Sequence, residues 1–339
     1  MLTPVETKRV APIVRALLCV AVLGGAIVQS ARIAEGAGSY CHNDYWLFNR
    51  LSEGQSFDQV DGGRTVNGPI EYAINTTFRS YSDTEAIDVT RIDVFDEFQY
   101  PWKEYAGTVV LSELEKAKNQ GEGRKFNLEE AKLENLKNSA HNILNADFYS
   151  DGTGNQAKQI GGLQLIVANN PTVGSPGGIG RPLFTFWRNQ QTSGAQSATA
   201  FDNLRAAMRS MYNSASAGVD EQHPEYAVTD QTSLQGYEAL LIANERITDK
   251  TKSQANAGFK NEWFMFKDIP VAYDRACPAG NMYLLNYRNL KLAYQKGYWL
   301  KGFPAVDPAN QTIEVFKIMT IANLYSNNPR RLAVITGIS

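Results

Sequence analysis

Apolar positions fall at helical spacing most clearly after Asn127. Asn127 can cap a helix, Glu130 stands three residues on as in a capping box, and Glu129 adds negative charge where a helix N-terminus favours it. Leu128, Leu136, Ala140, Ile143, Leu144 and Phe148 then recur on one face, which predicts a helix over 127–148, the longest in the chain. Two more helices are predicted. One covers 199–214, with Leu204, Met208, Met211 and Tyr212 on a face; the other covers 233–248, with Tyr237, Leu240, Leu241, Asn244 and Ile247.

Elsewhere the pattern is of strand type. After a turn at Asp61-Gly62-Gly63, the stretches Thr65–Ile74 and Phe95–Leu111 enclose a polar segment carrying Asp83, Glu85, Asp88 and Asp93. This predicts a long hairpin over 64–112 with a polar tip. Such a ribbon has too few apolar residues to bury both faces, and two-stranded hairpins are marginal in water. It must lie on something else, and another copy of the chain would serve. Turns at Asp151–Gly154 and Gly161-Gly162 lead to a predicted short strand over Leu163–Ala168, and Asn169–Pro182 reads as a surface loop. Further strands are predicted at Tyr226–Thr229, Asn281–Asn286, Lys291–Lys296, Ile313–Tyr325 and Leu332–Thr336, with turns at Pro278–Gly280 and Asn327–Pro329. Strands on both sides of a helical block imply the α+β class.

Composition adds limits. A chain of 339 residues with 43% hydrophobic content can fill real cores. With 33 basic against 35 acidic residues the net charge is −2, so any DNA contact is local or weak. Cys19, Cys41 and Cys277 are widely separated and show no CxxC spacing, which argues against a disulfide framework. At the N-terminus, Lys8, Arg9 and Arg15 precede an uncharged run of 13 residues, Ala16 to Val28, followed by Gln29-Ser30-Ala31. This resembles a signal peptide, and is too short for an ordinary spanning helix. A buried or partner-facing arm is the preferred reading, and export is the alternative.

No set of residues asks to be read as an active site. Gly152-Thr-Gly154-Asn-Gln-Ala157 matches the GxGxxG/A pattern, but a helix precedes it and a strand is predicted after it, the reverse of what a dinucleotide fold needs. Ser175-Pro-Gly177-Gly178-Ile-Gly180-Arg181 is glycine-rich but lacks the GK[ST] ending of a phosphate loop. Cys41, His42 and Asp44 offer three ligands where structural zinc wants four. His141 stands mid-helix with no acid or nucleophile placed to work with it, and His223 is remote. Asp96-Glu97 suits a polar strand edge and Glu129-Glu130 a helix start. Asn75-Thr-Thr77 and Asn310-Gln-Thr312 fit the glycosylation sequon, which matters only if the chain is secreted. Catalytic, cofactor-binding and metal residues are therefore all read as none, and no enzyme is expected.

Several ordered stretches carry a resemblance. They are Phe148-Tyr-Ser-Asp-Gly-Thr-Gly154, Ile160-Gly-Gly-Leu163, Gly177-Gly-Ile179 followed by Trp187-Arg188, and Ala227-Val-Thr-Asp230 before Tyr237-Glu238. Ile269-Pro-Val-Ala-Tyr-Asp274, Pro278-Ala-Gly-Asn-Met-Tyr-Leu-Leu-Asn286 and Asn328-Pro-Arg-Arg331 follow. In this order, from about Gly62 to Ser339, the chain resembles the tailed-bacteriophage major capsid proteins, shell subunits of the Hong Kong 97 type.

The resemblance implies an N-terminal arm over 1–61, an extension loop (the long hairpin) over 62–112 and a peripheral domain with its spine helix over 113–168. An axial domain over 169–275 and a return to the peripheral domain over 276–339 complete it. It further implies a subunit that self-assembles into hexamers and pentamers of an icosahedral-type head around double-stranded DNA. Scaffold, portal and decoration proteins are expected partners, with weak non-specific DNA contact, no small-molecule substrate, no membrane contact, and assembly in the host cytoplasm. Relatives do not begin with such an apolar run. A second reading therefore stays open, a secreted or envelope-associated α+β protein with an N-terminal signal peptide. An enzyme would require Cys41, His42 or His141 to meet a partner across the fold.

Overall fold

The computed structural model describes residues 46–53, 56–119, 128–192, 201–216, 223–244, 264–267 and 269–338. The signal-like segment, Cys41, His42, Asp44 and the cap residue Asn127 lie outside them. In chain order the main elements are α1 (Trp46–Glu53), β1 (Phe57–Val60), β2 (Thr65–Glu71), β3 (Phe95–Pro101), β4 (Lys103–Ser112), α2 (Glu113–Lys118), α3 (Leu128–Asp147) and α4 (Leu163–Ile166). They continue with β5 (Gln190–Thr192), α5 (Phe201–Ala215), β6 (Tyr226–Thr229), α6 (Gln231–Asn244), β7 (Phe264–Phe266) and β8 (Ile269–Tyr273). The last are β9 (Asn281–Leu285), β10 (Leu290–Gln295), β11 (Lys301–Val306), β12 (Ile313–Ser326) and β13 (Ala333–Thr336).

β12 organises the first sheet. Residues 313–322 pair antiparallel with β4, and the opposite edge pairs with β11 near Val315–Met319 and with β10 over 322–326. β1 adds a parallel edge on β10. The α3 helix lies over β4, and its last turn enters a core of Leu47, Leu51, Leu144, Phe148, Leu292 and Leu324, among others. The second sheet runs β5-β13-β9-β6-β8-β7. Leu204, Met208 and Met211 of α5 pack on its Ala227, Val271 and Ile335 side chains. The stripe read for α5 is thus the face that is buried; in α6 Tyr237 is buried, whereas the side chains from 239 onward lie outside the described residues.

Two buried aspartates fasten these parts together. Asp230 and Asp274 follow the parallel strands β6 and β8, which are in register at Thr229 and Tyr273. Asp230 Oδ2 accepts from Thr232 N and Ser233 N and so caps α6, starting it two residues before the expected Ser233. Asp274 Oδ2 accepts from Leu47 N (3.1 Å) at the start of α1, while both its oxygens accept from Asn145 Nδ2 of α3 (3.0 Å). One carboxylate therefore ties α1, α3 and the second sheet.

The structure departs from the expected elements in four places. The second hairpin strand, expected over Phe95–Leu111, divides at Trp102: β3 pairs with β2, whereas β4 leaves to pair with β12. The reason is tertiary, because β12 offers a longer ladder than β2 can. Leu163–Ile166 is a helical turn instead of a strand, since Leu163, Ile166 and Val167 are buried at helical spacing. Only the last turn of α3 is buried; Ile143, placed on its apolar stripe, is exposed. The glycine-rich part of the 169–182 loop is tucked inside, with Pro176, Gly177, Ile179 and Arg181 buried. Arg181 donates to the carbonyls of Leu165, Ile166 and Trp187 beneath the hairpin. Burial lowers its pKa to about 10.

Candidate assembly surface

The hairpin has two parts with opposite chemistry. At its base Val66, Ile70, Phe98 and Tyr100 point inward onto Ile179, Trp187 and Tyr325, forming a third core. Gly68 lets the ring of Phe98 lie against the β2 backbone, as a Cβ there would sit 2.7 Å from Phe98 Cζ. Gly177, at φ +65°, admits the ring of Tyr100 in the same way. Trp187 Nε1 donates to Pro176 O (2.8 Å), locking the loop below.

Beyond Glu71 and Phe95 the strands give way to turns, and the apolar side chains have nothing beneath them. Ile74 is 87% exposed, Phe78 95%, Ile87 72% and Val89 92%. The segment is nonetheless organised. Asn75 Oδ1 accepts from Thr77 N and Oγ1, and Asp88 Oδ1 does the same for Thr90. Tyr81 OH donates to Thr77 O and accepts from Asp88 N, and Arg79 pairs with Glu85 at 3.4 Å. The Thr90 hydrogen bonds hold the Asp88 carboxyl below its usual pKa, so the tip carries charge. An ordered tip that displays four large apolar side chains to water is a candidate interaction surface.

The residues weighed for chemistry are dispersed. His141 lies against Phe48 with tilted rings whose centroids are 4.7 Å apart; burial first, and Lys137 second, keep its pKa below the ordinary histidine value. His223 lies 6.1 Å from Tyr212, and its carbonyl accepts from Asn286 Nδ2 (2.6 Å). Gly152–Ala157 forms a turn in which Asn155, Gln156 and Ala157 have positive φ, with no helix N-terminus to receive a phosphate. Glu97 accepts from Asn67 across the hairpin, consistent with a polar edge. Asn75 is engaged in its own turn. Among the described residues no cluster of three or more His, Cys, Asp or Glu could hold a metal, and no helix is long and apolar enough to cross a membrane.

What sequence reasoning missed is the exposure of the tip. Its polar count was visible; that Phe78 and Ile74 point into solvent was not, because alternation alone does not say which face is covered.

This arrangement of hairpin, long helix and two sheets recurs in solved shells and is the Hong Kong 97-type fold. The chain is similar to the cyanophage A-1(L) capsid asymmetric unit, with a TM-score of 0.65 at 15% identity, covering 87% of this chain and 93% of that one. The capsid of a native GTA particle matches with a TM-score of 0.60 at 12% identity, over 95% and 99% of the two chains. The holo-SrpI encapsulin complex from Synechococcus elongatus PCC 7942 matches with a TM-score of 0.55 at 11% identity, over 96% and 95%. At these identities the likeness speaks for the fold alone, and an encapsulin shares it with the viral shells. The sequence is more specific. Residues 107–339, most of the chain, match the SU10 major capsid protein family, and the chain belongs to that family. It is a structural subunit of a phage capsid, and its place is the virion. No curated protein matches the sequence.

Proposed function

We propose that this major capsid protein builds hexamers and pentamers of an icosahedral-type head around double-stranded DNA, through head-to-tail contacts between identical copies. The observation that carries this reading is the uncovered apolar tip over 74–89. From Glu71 to the turn at Ser82, eleven residues could extend up to about 36 Å, far enough to reach a neighbour. On this reading the extension loop is 62–102, because 103–112 is hydrogen-bonded in the first sheet. The peripheral part comprises α3 with that sheet, the axial part comprises the second sheet with α5 and α6, and residues 1–61 serve as the arm. The near-neutral charge of −2 suits a wall that does not grip the genome, since a strongly basic lining would bind DNA tightly by counterion release. Scaffold, portal and decoration proteins are further partners on this reading, and assembly takes place in the host cytoplasm. The structural role leaves no reaction to be performed.

The test is expression of the full chain, alone and with its scaffold protein, followed by sedimentation and electron microscopy of the fast fraction. Capsomers or closed shells are expected. A subunit that stays monomeric with scaffold present would overturn the proposal.

A further inference from the structure

A cleft of ≈ 640 Å³ opens beside the hairpin base, between Pro69–Ile74 on one side and Phe186, Trp187, Asn289 and the turn Asn327–Arg331 on the other. Its chemistry is one-sided. Arg330 is exposed and Arg331 half-buried, and neither has a carboxylate within ion-pair distance among the described residues. Arg331 Nη1 donates to Ala215 O at 3.4 Å, and its buried Nε meets no acceptor among the described residues. Asn289, only 6% exposed, likewise leaves Nδ2 without an acceptor among the described residues. The guanidinium groups of the exposed Arg330 and half-buried Arg331 give the cleft cationic donors, which suits a ligand that brings acceptors. Glu71 on the rim is the one opposing charge.

The chain carries such a ligand. The hairpin tip bears Asp83, Glu85, Asp88 and Asp93 against Arg79 and Arg91. Glu85 is occupied by Arg79 and Asp88 by Thr90, while Asp83 and Asp93 are exposed with no side-chain partner among the described residues. The same segment supplies apolar groups, and the half-buried Phe186 and the exposed Ile74 on the cleft wall can cover them. We propose that the cleft formed around Arg330, Arg331 and Asn289 receives the acidic tip of a second copy's hairpin. The contact is heterologous, tip of one copy to base of the next, and therefore repeats around a ring. The inference rests on the shell reading above and specifies where on the neighbour the tip docks.

Charge reversal tests it. Arg330→Glu, and separately Asp83→Arg with Asp93→Arg, are each expected to lower the yield of sedimenting particles roughly fivefold at low salt. Melting of the unassembled subunit should be unchanged, because these side chains are exposed. Arg330→Gln should give a smaller loss. Placing all three reversals in one chain presents reversed tips to reversed clefts and is expected to restore the yield. If the reversals have no effect while deletion of 74–92 abolishes particles, the tip docks elsewhere; the cleft assignment fails and the shell reading stands. Failure of the combined variant to recover also overturns it. So does a third result, Arg330→Glu particles that form normally but retain less DNA, which would make the cleft a site for the phosphate backbone.

Discussion

Asp147, the last residue of α3, puts a carboxylate at the helix end where carbonyl dipoles already concentrate negative charge. Tyr105 OH donates to its Oδ2 (2.6 Å) and Gln159 Nε2 to its Oδ1 (3.0 Å). These bonds do not offset the loss of water. Burial raises the Asp147 pKa above 3.8, with the Tyr105 bond pulling back against it. The folded state thus holds this proton more tightly than the unfolded chain. The stability it contributes is full below about pH 3.8, is lost as pH rises through the folded value, and is level above that. Asp147→Asn keeps an acceptor for Tyr105 and removes the charge. Thermal melts of the unassembled variant and parent should diverge in the variant's favour between about pH 3.5 and pH 7. A difference that does not change with pH would show that the carboxylate is not strained by its burial.

At the scale of elements, two glycines separate cheap from costly contacts. A Cβ on Gly107 of β4 would lie 2.7 Å from Leu136 Cδ1, the flexible end of a side chain on α3. A Cβ on Gly162 would lie 2.4 Å from Phe148 O and 2.5 Å from Asp147 O, which are backbone. There the chain leaving α3 folds back on itself, with Leu163 N donating to Phe148 O at 2.6 Å. Gly162→Ala should therefore destabilise by about 3 kcal/mol or more, and Gly107→Ala by about 1 kcal/mol or less, with Leu136→Val relieving the latter. Urea unfolding of both variants measures the contrast, and equal costs would refute it.

The same scale shows why some elements were legible and others not. The α5 helix, β6 and the C-terminal strands announce themselves by spacing, because each buries a regular stripe or run; α3 shows the period although only its last turn is buried. α1 is too short for its period to stand out, although Leu47, Phe48 and Leu51 are all buried. β11 is an exposed edge with a bulge between Phe303 and Val306 and a proline within it, so it shows no alternation. The break at Trp102 depends on β12, far along the chain, which no local pattern encodes. Of the assembly surface, the surplus ribbon could be read from the sequence. The cleft could not, since Ile70, Trp187, Asn289 and Arg331 meet only in the fold.

For the whole molecule, the hairpin joins two energetic accounts that can be separated. Phe98 belongs to the subunit: it is buried against Trp187 and Tyr325, and Phe98→Ala should cost the isolated fold about 3–5 kcal/mol. On the proposed mode of assembly Phe78 and Ile74 serve the contact with a neighbour, because inside the subunit they are almost fully exposed. Replacing both by Ser should leave subunit melting within about 0.5 kcal/mol of the parent. If a neighbour covers them, each contributes about 1.5–3 kcal/mol to every contact. Their joint loss then raises the concentration needed for assembly about a hundredfold or more. Sedimentation across a concentration series, paired with melts of the dissociated protein, reads both quantities from the same preparations. Unchanged assembly would mean that the tip stays in water within the shell. A large fall in subunit melting would mean that the tip packs on its own chain. The first outcome removes the observation on which the proposed mode of assembly rests, since without a covered tip nothing in the subunit explains why an ordered segment holds its apolar side chains outward.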